Sequence, residues 1–525
     1  MSGLLGEQKA GEFFSSALFM VALCFVVAGW YSPAMAQEEN GPIAEDGTLL
    51  SDFERAEQQW EQDPTEQGAR QKDRLIEPQD PLNQSYNAQK AQVLDRQDKA
   101  RRDGRTFLLL PTPLQEAPRD FRDDELVERL AREAQREWSR NDHSWRQRDQ
   151  AAFDPSGISV GSFVLYPEFT TGVTMSNNLF ATKHGRKTDL ATDYVPAFRL
   201  HSDWNRHELR FFAKSHHRRW SHFSSENTDE FELRARGRLD VTRRTSLEGG
   251  ARYEQKFEGR GSNELPDAAS RPAKTHQSEI FGQVNHRFNR LGFRLRGQLI
   301  KNQYDNVALN SGAILNNHLR DYDERLGSLR TSYEFSPRLT VFADEVLGKR
   351  VFDHRLDGNH FVQGSSRWLT AIGTRLELSA QLSLLGRVGY ARVNPDEARY
   401  ADLQGFVYDG RLIWQPSAFS TLNVRGKTEF VETTQSGSAG SFNRSLSADL
   451  EHFWTHRLSS HVKAAYEVRD YSGISQIDRE LRLGVSARYL FSRALALEGG
   501  YEHTLVRGTN AYEEDVLHLG LKWQR

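Results

Sequence analysis

The chain has one cysteine, Cys24, in 525 residues. No disulfide framework, cysteine nucleophile or cysteine metal site can be built without it. Cys24 lies inside an apolar run and follows Leu23, where a lipoprotein signal needs a small residue, so lipidation is not expected. Long apolar runs are equally scarce. One stretch, residues 13–31, approaches the length of a membrane helix. Ala34-Met35-Ala36 follows it with the small-x-small pattern of a secretory cleavage site. Residues 1–36 therefore read as a cleaved signal peptide, although Lys9 is flanked by Glu7 and Glu12. The mean hydropathy of −0.69 is too polar for a helical membrane bundle. An excess of one charge is also missing. Sixty-nine basic and 72 acidic residues leave a net charge of −3, and no basic surplus points to nucleic acid.

Residues 37–156 are polar, Gln-rich, acidic and poor in aromatics, with Pro64, Pro78, Pro81, Pro111, Pro113 and Pro118 along them. Such a composition buries too little apolar surface to offset the entropy of ordering, so a largely disordered periplasmic arm is expected. Within it, Leu126, Leu130 and Ala134 recur at helical spacing beside Val127, Ala131 and Trp138. This predicts one short amphipathic helix at about 120–141, either transient or a docking element for a periplasmic partner.

From about residue 157 the period changes to two. Phe231, Leu233, Ala235, Gly237, Leu239 and Val241 alternate with Glu230, Glu232, Arg234, Arg236, Arg238 and Asp240. The pattern returns in Leu291, Phe293, Leu295, Gly297 and Leu299 against Arg294, Arg296 and Gln298. It returns again in Leu422, Val424, Gly426, Thr428 and Phe430 against Asn423, Arg425, Lys427 and Glu429. A further example sets Leu481, Leu483, Val485, Ala487 and Tyr489 against Arg482, Ser486 and Arg488. A strand sends successive side chains to opposite faces, so one face is apolar and the other charged. Several of these strands reach the ten or so residues needed to cross a bilayer at a tilt.

Short polar turns punctuate the strands around residues 202–206, 242–245, 289–290, 336–338, 379–381, 415–417, 455–457 and 492–493. Longer Gly-, Ser-, Asn- and Asp-rich segments lie between them, as at 176–192, 258–274, 304–319 and 433–443. Alternating short and long connections fit short periplasmic turns and long outer loops, and eight short turns give about 18 strands. Phe288, Phe335, Trp414, Phe453, Trp454, Tyr489 and Phe491 stand just before short turns, where a periplasmic aromatic girdle belongs. A soluble β-sandwich would also alternate. Strand length, girdle, loop asymmetry and signal sequence together favour an all-β, transmembrane, antiparallel up-and-down barrel over residues 157–525, because an extended chain in lipid must close to satisfy its backbone.

The segments GISVGSFVLYP at 157–167 and GVTMSNNLF at 172–180 resemble the first strand of the outer-membrane β-barrel porin family of Gram-negative bacteria. LHSDWNRHEL at 200–209, GRLDVTRRT at 237–245 and HRFNRL at 286–291 are similar to that family's turns. The resemblance covers about 157–525. It implies a barrel in the cell outer membrane, surrounded by lipid and lipopolysaccharide and inserted by the barrel-assembly machinery. It says little about cargo. Family barrels usually end in an aromatic assembly signal. Here the last residues are Trp523, Gln524 and Arg525, and Trp523 is the expected substitute.

The charges on the inward face are the informative set: Arg234, Arg236, Arg238, Arg294, Arg296, Arg425, Arg482 and Arg488, with Glu230, Glu232, Asp240, Glu429 and Glu467 among them; Arg330, Arg387 and Arg411 share the pattern. Rings of basic charge concentrate anions. The first reading is a porin-like pathway for polar or anionic solutes, or one serving export of a surface polysaccharide, with the arm meeting a periplasmic export partner. The alternative is a structural or adhesion barrel whose paired charges close the lumen. An outer-membrane hydrolase ranks last. His222-Phe223-Ser224-Ser225 only partly resembles the His-x-Ser-Asn-Gly run of outer-membrane phospholipases, since the Asn-Gly is absent. His216, His217 and His222 lack a carboxylate at ligand spacing, and His452, His456 and His461 are expected to be solvated near a periplasmic turn. No catalytic residue, metal site or cofactor is expected.

Overall fold

Strands with one apolar and one fully charged face leave neither face in place unless the sheet curls and separates lipid from a polar interior. The computed structural model describes residues 155–525 apart from 263–264, 267, 359, 418 and 434–436. The expected signal peptide, all but the last two residues of the arm, and its helix at about 120–141 lie outside the described residues.

Twenty-one strands follow in order. The first eight are β1 (Ile158–Val160), β2 (Phe163–Ser176), β3 (Asp189–Ser202), β4 (Glu208–Trp220), β5 (Thr228–Asp240), β6 (Thr245–Phe257), β7 (Lys274–Phe288) and β8 (Leu291–Tyr304). Two short ones within a loop, β9 (Val307–Ala308) and β10 (Ile314–Leu315), precede β11 (Tyr322–Ser336), β12 (Leu339–Phe352), β13 (Ser365–Ser379) and β14 (Leu382–Pro395). The rest are β15 (Leu403–Ser417), β16 (Ser420–Glu432), β17 (Gly440–Phe453), β18 (Leu458–Tyr471), β19 (Ile477–Leu490), β20 (Leu495–Arg507) and β21 (Tyr512–Gln524).

The barrel consists of β2–β8 and β11–β21, eighteen antiparallel strands. It closes because β2 pairs with β3 on one side, as Phe163 with Ser202, and with β21 on the other, as Ser176 with Val516. Closure leaves no free edge. The short β1 folds back on β2, Ile158 opposite Leu165. No α-helix occurs among the described residues.

Eight connections of two to five residues fall at one end; of the nine at the other, seven are of seven residues or more, and 472–476 and 508–511 are short. Asn289, in the two-residue connection between β7 and β8, takes the left-handed φ of +52° that a tight hairpin needs and that Asn tolerates. One expected turn is displaced. Gln415-Pro416-Ser417 belongs to the end of β15, where the register with β16 shifts between Trp414 and Ser417. Proline cannot donate to the ladder, and this irregularity is where a strand accepts one.

The expected alternation is visible in exposure. On β8, Leu295 is 59% exposed and Leu299 50%, whereas Arg296 between them is 5% exposed. One face of the wall is thus apolar and open to the surroundings, and the other is polar and enclosed.

Candidate pore and its charged wall

The enclosed face surrounds a cavity of about 1060 Å³ in the half of the barrel nearer the long loops. Of the residues singled out from the sequence, Glu230, Glu232, Arg234 and Arg482 border it. Arg425 borders a much smaller space beside Arg330, Asp409 and Arg411. Arg236, Arg238, Arg294, Arg296 and Arg488 border neither. They sit lower, toward the short turns, each engaged locally. Arg236 pairs with Glu248 and Arg238 with Asp240. Arg294 donates to Asn285 at 3.2 Å, and Arg488 lies 3.2 Å from Glu498. Arg296 reaches Glu279 at 3.5 Å and stacks over Phe281 with its guanidinium carbon 3.9 Å from the ring centre.

Arg234 and Arg238 find carboxylates on their own strand, Glu232 and Asp240, but others of the arginines foreseen as a basic lining have partners that a single strand cannot reveal. Asp344 on β12 accepts from Arg330 at 2.6 and 2.7 Å and from Arg387 at 3.3 Å. Asp409 on β15 accepts from Arg425 at 3.0 Å and lies 3.6 Å from Arg387. The result is an alternating row across five strands, Arg330–Asp344–Arg387–Asp409–Arg425. Gly373 makes room for the buried Phe342 under Arg330, since a Cβ there would lie 2.3 Å from the Phe342 ring.

Higher up, Glu324 and Glu432 bracket Arg350 and Arg367. Arg367 reaches Glu324 at 3.2 Å and Glu432 at 2.8 Å, while Arg350 lies 3.6 and 3.5 Å from the same two carboxylates. Ser365 adds a hydrogen bond to Glu432 at 2.8 Å. These residues were missed by sequence reading, because Glu324 and Glu432 are 108 positions apart and meet only through the barrel's curvature. Fifteen basic and fifteen acidic side chains border the large cavity, so the basic surplus suggested by the strand pattern is cancelled.

The long loops contribute to the wall. Arg260 and Arg320 hold Glu226 and Glu258, at 2.5 and 2.6 Å. Leu265, Ala269, Ala273 and Val307 form a small apolar cluster between two loops. Glu397, in the loop 396–402, accepts from the Val362 backbone N–H at 2.9 Å and from Arg399 at 2.8 Å. The Arg399 hydrogen bond holds the Glu397 carboxyl down at about 2. Arg399 also stacks over Phe361, which lies flat on Tyr400 with ring centres 5.6 Å apart.

Two sequence expectations need correction. Thr428 does not join the outward apolar row. It is buried, and its hydroxyl oxygen accepts from the Tyr408 N–H at 2.8 Å. The reason is a fork: β15 pairs with β16 from Asp409↔Lys427 downward, whereas 403–408 pair only with β14. His461 is not solvated. It is buried on the cavity wall, 3.6 Å from Glu451. His216 and His217 cannot converge on one metal, because neighbouring strand residues point to opposite faces. His216 binds Asp193 at 2.7 Å, His217 binds Asp229 at 2.6 Å, and His222 binds Asp189 at 2.9 Å.

The aromatics named for the girdle stand at strand ends beside short turns, with Phe288, Phe335, Trp454, Tyr489 and Phe491 exposed and Trp414 and Phe453 half-buried. Trp204, Tyr333 and Trp523 are exposed at the same end and were not singled out for the girdle.

Residues 150–525 match the family model described as Putative beta-barrel porin 2. No curated protein matches the chain. Among solved structures it is similar to OccAB4 of Acinetobacter baumannii, at 13% identity over 69% of this chain and 98% of that one, with a TM-score of 0.39. It is similar to OpdL of Pseudomonas aeruginosa at 12% identity over 70% and 99%, TM-score 0.39. It is also similar to a chain of the FpvAI–pyocin S2 complex at 12% identity over 66%, TM-score 0.37, and spans about half of that chain, 55%. The family match assigns the chain; these distant likenesses add nothing about cargo.

Proposed function

Since the chain belongs to the Putative beta-barrel porin 2 family and is a porin-like barrel of the outer membrane, we propose that its lumen passes polar solutes, a surface polysaccharide being the largest such cargo. The observation that carries this is the 1060 Å³ cavity, walled by charged groups rather than filled by apolar side chains. The equal number of basic and acidic groups argues for weak ion selectivity instead of the anion preference read from the arginines alone.

In this reading residues 1–36 are removed on export, the assembly machinery inserts the barrel, and residues 37–156 meet a periplasmic export partner. The lumen serves passage, not chemistry. The closed, structural barrel is the competing view, and the paired row Arg330–Asp344–Arg387–Asp409–Arg425 favours it.

Planar-bilayer recording decides between them. The proposal expects discrete conductance steps, and a reversal potential near zero across a KCl gradient. A bilayer that stays silent with correctly folded, heat-modifiable protein overturns it in favour of the closed barrel. A strong anion preference overturns the balanced wall.

A further inference from the structure

On the outward face of the barrel, Ser215 and His217 are two residues apart on β4 and therefore point the same way. Ser215 Oγ lies 2.7 Å from His217 Nε2. On the other side of the same ring, His217 Nδ1 lies 2.6 Å from Asp229 Oδ1. Asp229 is the direct register partner of His217 across the β4–β5 ladder. One tautomer satisfies both contacts: Nδ1–H donates to the carboxylate, and Nε2 accepts from the serine hydroxyl. We propose that Ser215, His217 and Asp229 form a serine-hydrolase triad that cleaves acyl esters of lipids in the outer leaflet. It stands apart from the pore and does not depend on what the lumen passes.

The nucleophile, the base and the group that orients it are in line. A serine hydroxyl is a weak nucleophile until a neighbouring base accepts its proton. A carboxylate on the far nitrogen fixes the imidazole's orientation and stabilises the imidazolium that forms. Asp229 is itself held, accepting from Arg219 Nη2 at 2.5 Å, while Arg219 also donates to the Thr228 carbonyl at 3.0 Å. Asp229 and Arg219 are thus positioning residues, and Ser215 and His217 are the catalytic ones.

The surroundings specify the substrate. Ser215 faces Phe231 across the β4–β5 ladder, and Tyr194 faces His217 across the β3–β4 ladder. Phe211, Leu233, Phe231 and Tyr194 are all exposed on this outward surface. The polar trio thus sits on an apolar wall, close to the loop-side ends of its strands, at the depth where lipid ester groups meet headgroups. His216, the intervening residue, points inward to Asp193 and the cavity, so the triad opens to lipid and not to the lumen.

The reaction balances without a cofactor. Ser215 Oγ bonds the ester carbonyl carbon as its proton passes to His217 Nε2. The carbon–oxygen bond to the alcohol breaks, and His217 returns the proton to that oxygen. Water then cleaves the acyl-serine through the same base, releasing a fatty acid and restoring the hydroxyl. Sequence reading passed over this trio, because the register that brings Asp229 to His217 is a property of the sheet.

The test uses the full chain folded in lipid. Wild type is incubated with a hexadecylsulfonyl fluoride probe and, separately, with dioleoyl phosphatidylethanolamine vesicles. Peptide mass spectrometry should place the sulfonyl group on Ser215, and free oleate should accumulate. Ser215→Ala should abolish labelling and lower oleate release about 100-fold or more. Asp229→Asn should slow labelling while retaining heat-modifiable mobility, which separates orientation of the base from loss of fold. Ser224→Ala, in the 3-10 turn Ser224–Glu226 of the loop between β4 and β5 and outside the trio, should behave as wild type. If the probe leaves Ser215 unmodified, or if oleate release is the same in Ser215→Ala, the proposal is overturned.

Discussion

The two ends of the barrel interior are built from the same residue types and do different things with them. Toward the short turns, charges are satisfied within the sheet: Lys522 meets Glu168 at 2.8 Å, Arg199 also meets Glu168, and Arg236 meets Glu248. Toward the long loops, the carboxylates come from further away, as Glu258 does for Arg320 and Glu432 for Arg367, and a cavity remains between them. The difference lies in where the partner stands. A diagonal neighbour on the adjacent strand fills the space beside a basic side chain, whereas a partner from a loop or a distant strand spans it.

The largest expected effect comes from the charged row where the two halves meet. Asp344→Ala would leave Arg330 and Arg387 without the carboxylate that joins them, at a site where Asp344 is 3% exposed. Removing one partner of a buried pair costs about 3–5 kcal/mol. Urea unfolding in lipid, followed by gel mobility, should show a loss of that size. A change below about 1 kcal/mol would mean the row is solvated and that the two ends do not differ.

Next in size is a test of inside against outside. Leu299 on β8 is outward and exposed, and Gln298 beside it is inward and buried. Leu299→Arg should cost about 2–4 kcal/mol if it faces the bilayer midplane. The same substitution on a face open to water would be nearly neutral, so unfolding measurements on this variant test whether Leu299 faces lipid or water.

Such residues also show how much could be read without coordinates. The sheet was legible because a period of two is a local property: Leu295, Arg296, Leu299 and their neighbours announce the face they occupy. The strand number followed from turn spacing, and only the turn at 415–417 slipped, where Pro416 sits within an irregular ladder. The inward arginines were legible for the same reason. So were the carboxylates on the same strand, Glu232 for Arg234 and Asp240 for Arg238; the partners on other strands were not. Asp344 meets Arg387 from two strands away, and Glu324 meets Arg367 likewise, distances fixed by register and closure. An anion-attracting lining was therefore read from half of a balanced set. Thr428 failed differently: alternation assumes an intact ladder, and β15 and β16 part above Asp409.

A smaller effect should be read as current rather than stability. Glu432→Gln removes one negative charge from the loop-side wall and keeps its shape. Arg350 and Arg367 would retain Glu324, at 3.6 and 3.2 Å, so the fold should persist. The reversal potential in a KCl gradient should move toward anion preference, by a factor of about two in relative permeability. The mirror change at the low end, Glu248→Gln, should leave the potential where it was, because Glu248 does not border the cavity.

The smallest effect concerns the loop at the mouth. Glu397 ties Val362 to Arg399 and lies in a loop outside the strands. Its carboxyl is held at about 2, chiefly by the Arg399 hydrogen bond. A carboxyl depressed in the folded state contributes fully above its ordinary value near 4.5, and that contribution is lost as pH falls through about 2. The tie should therefore survive mild acid: hydrogen exchange at the Val362 amide should stay slow from neutral pH to about pH 3, after correction for the intrinsic rate. Glu397→Gln should speed exchange there by only a few-fold at neutral pH, since an amide oxygen can still accept from Val362 while the ion pair to Arg399 is lost. Fast exchange in wild type at pH 5 would show that the loop does not rest on Glu397, and the mouth would then owe its shape to its other contacts, the Phe361–Tyr400 stack and the Asp357 cap on the Phe361 N–H among them.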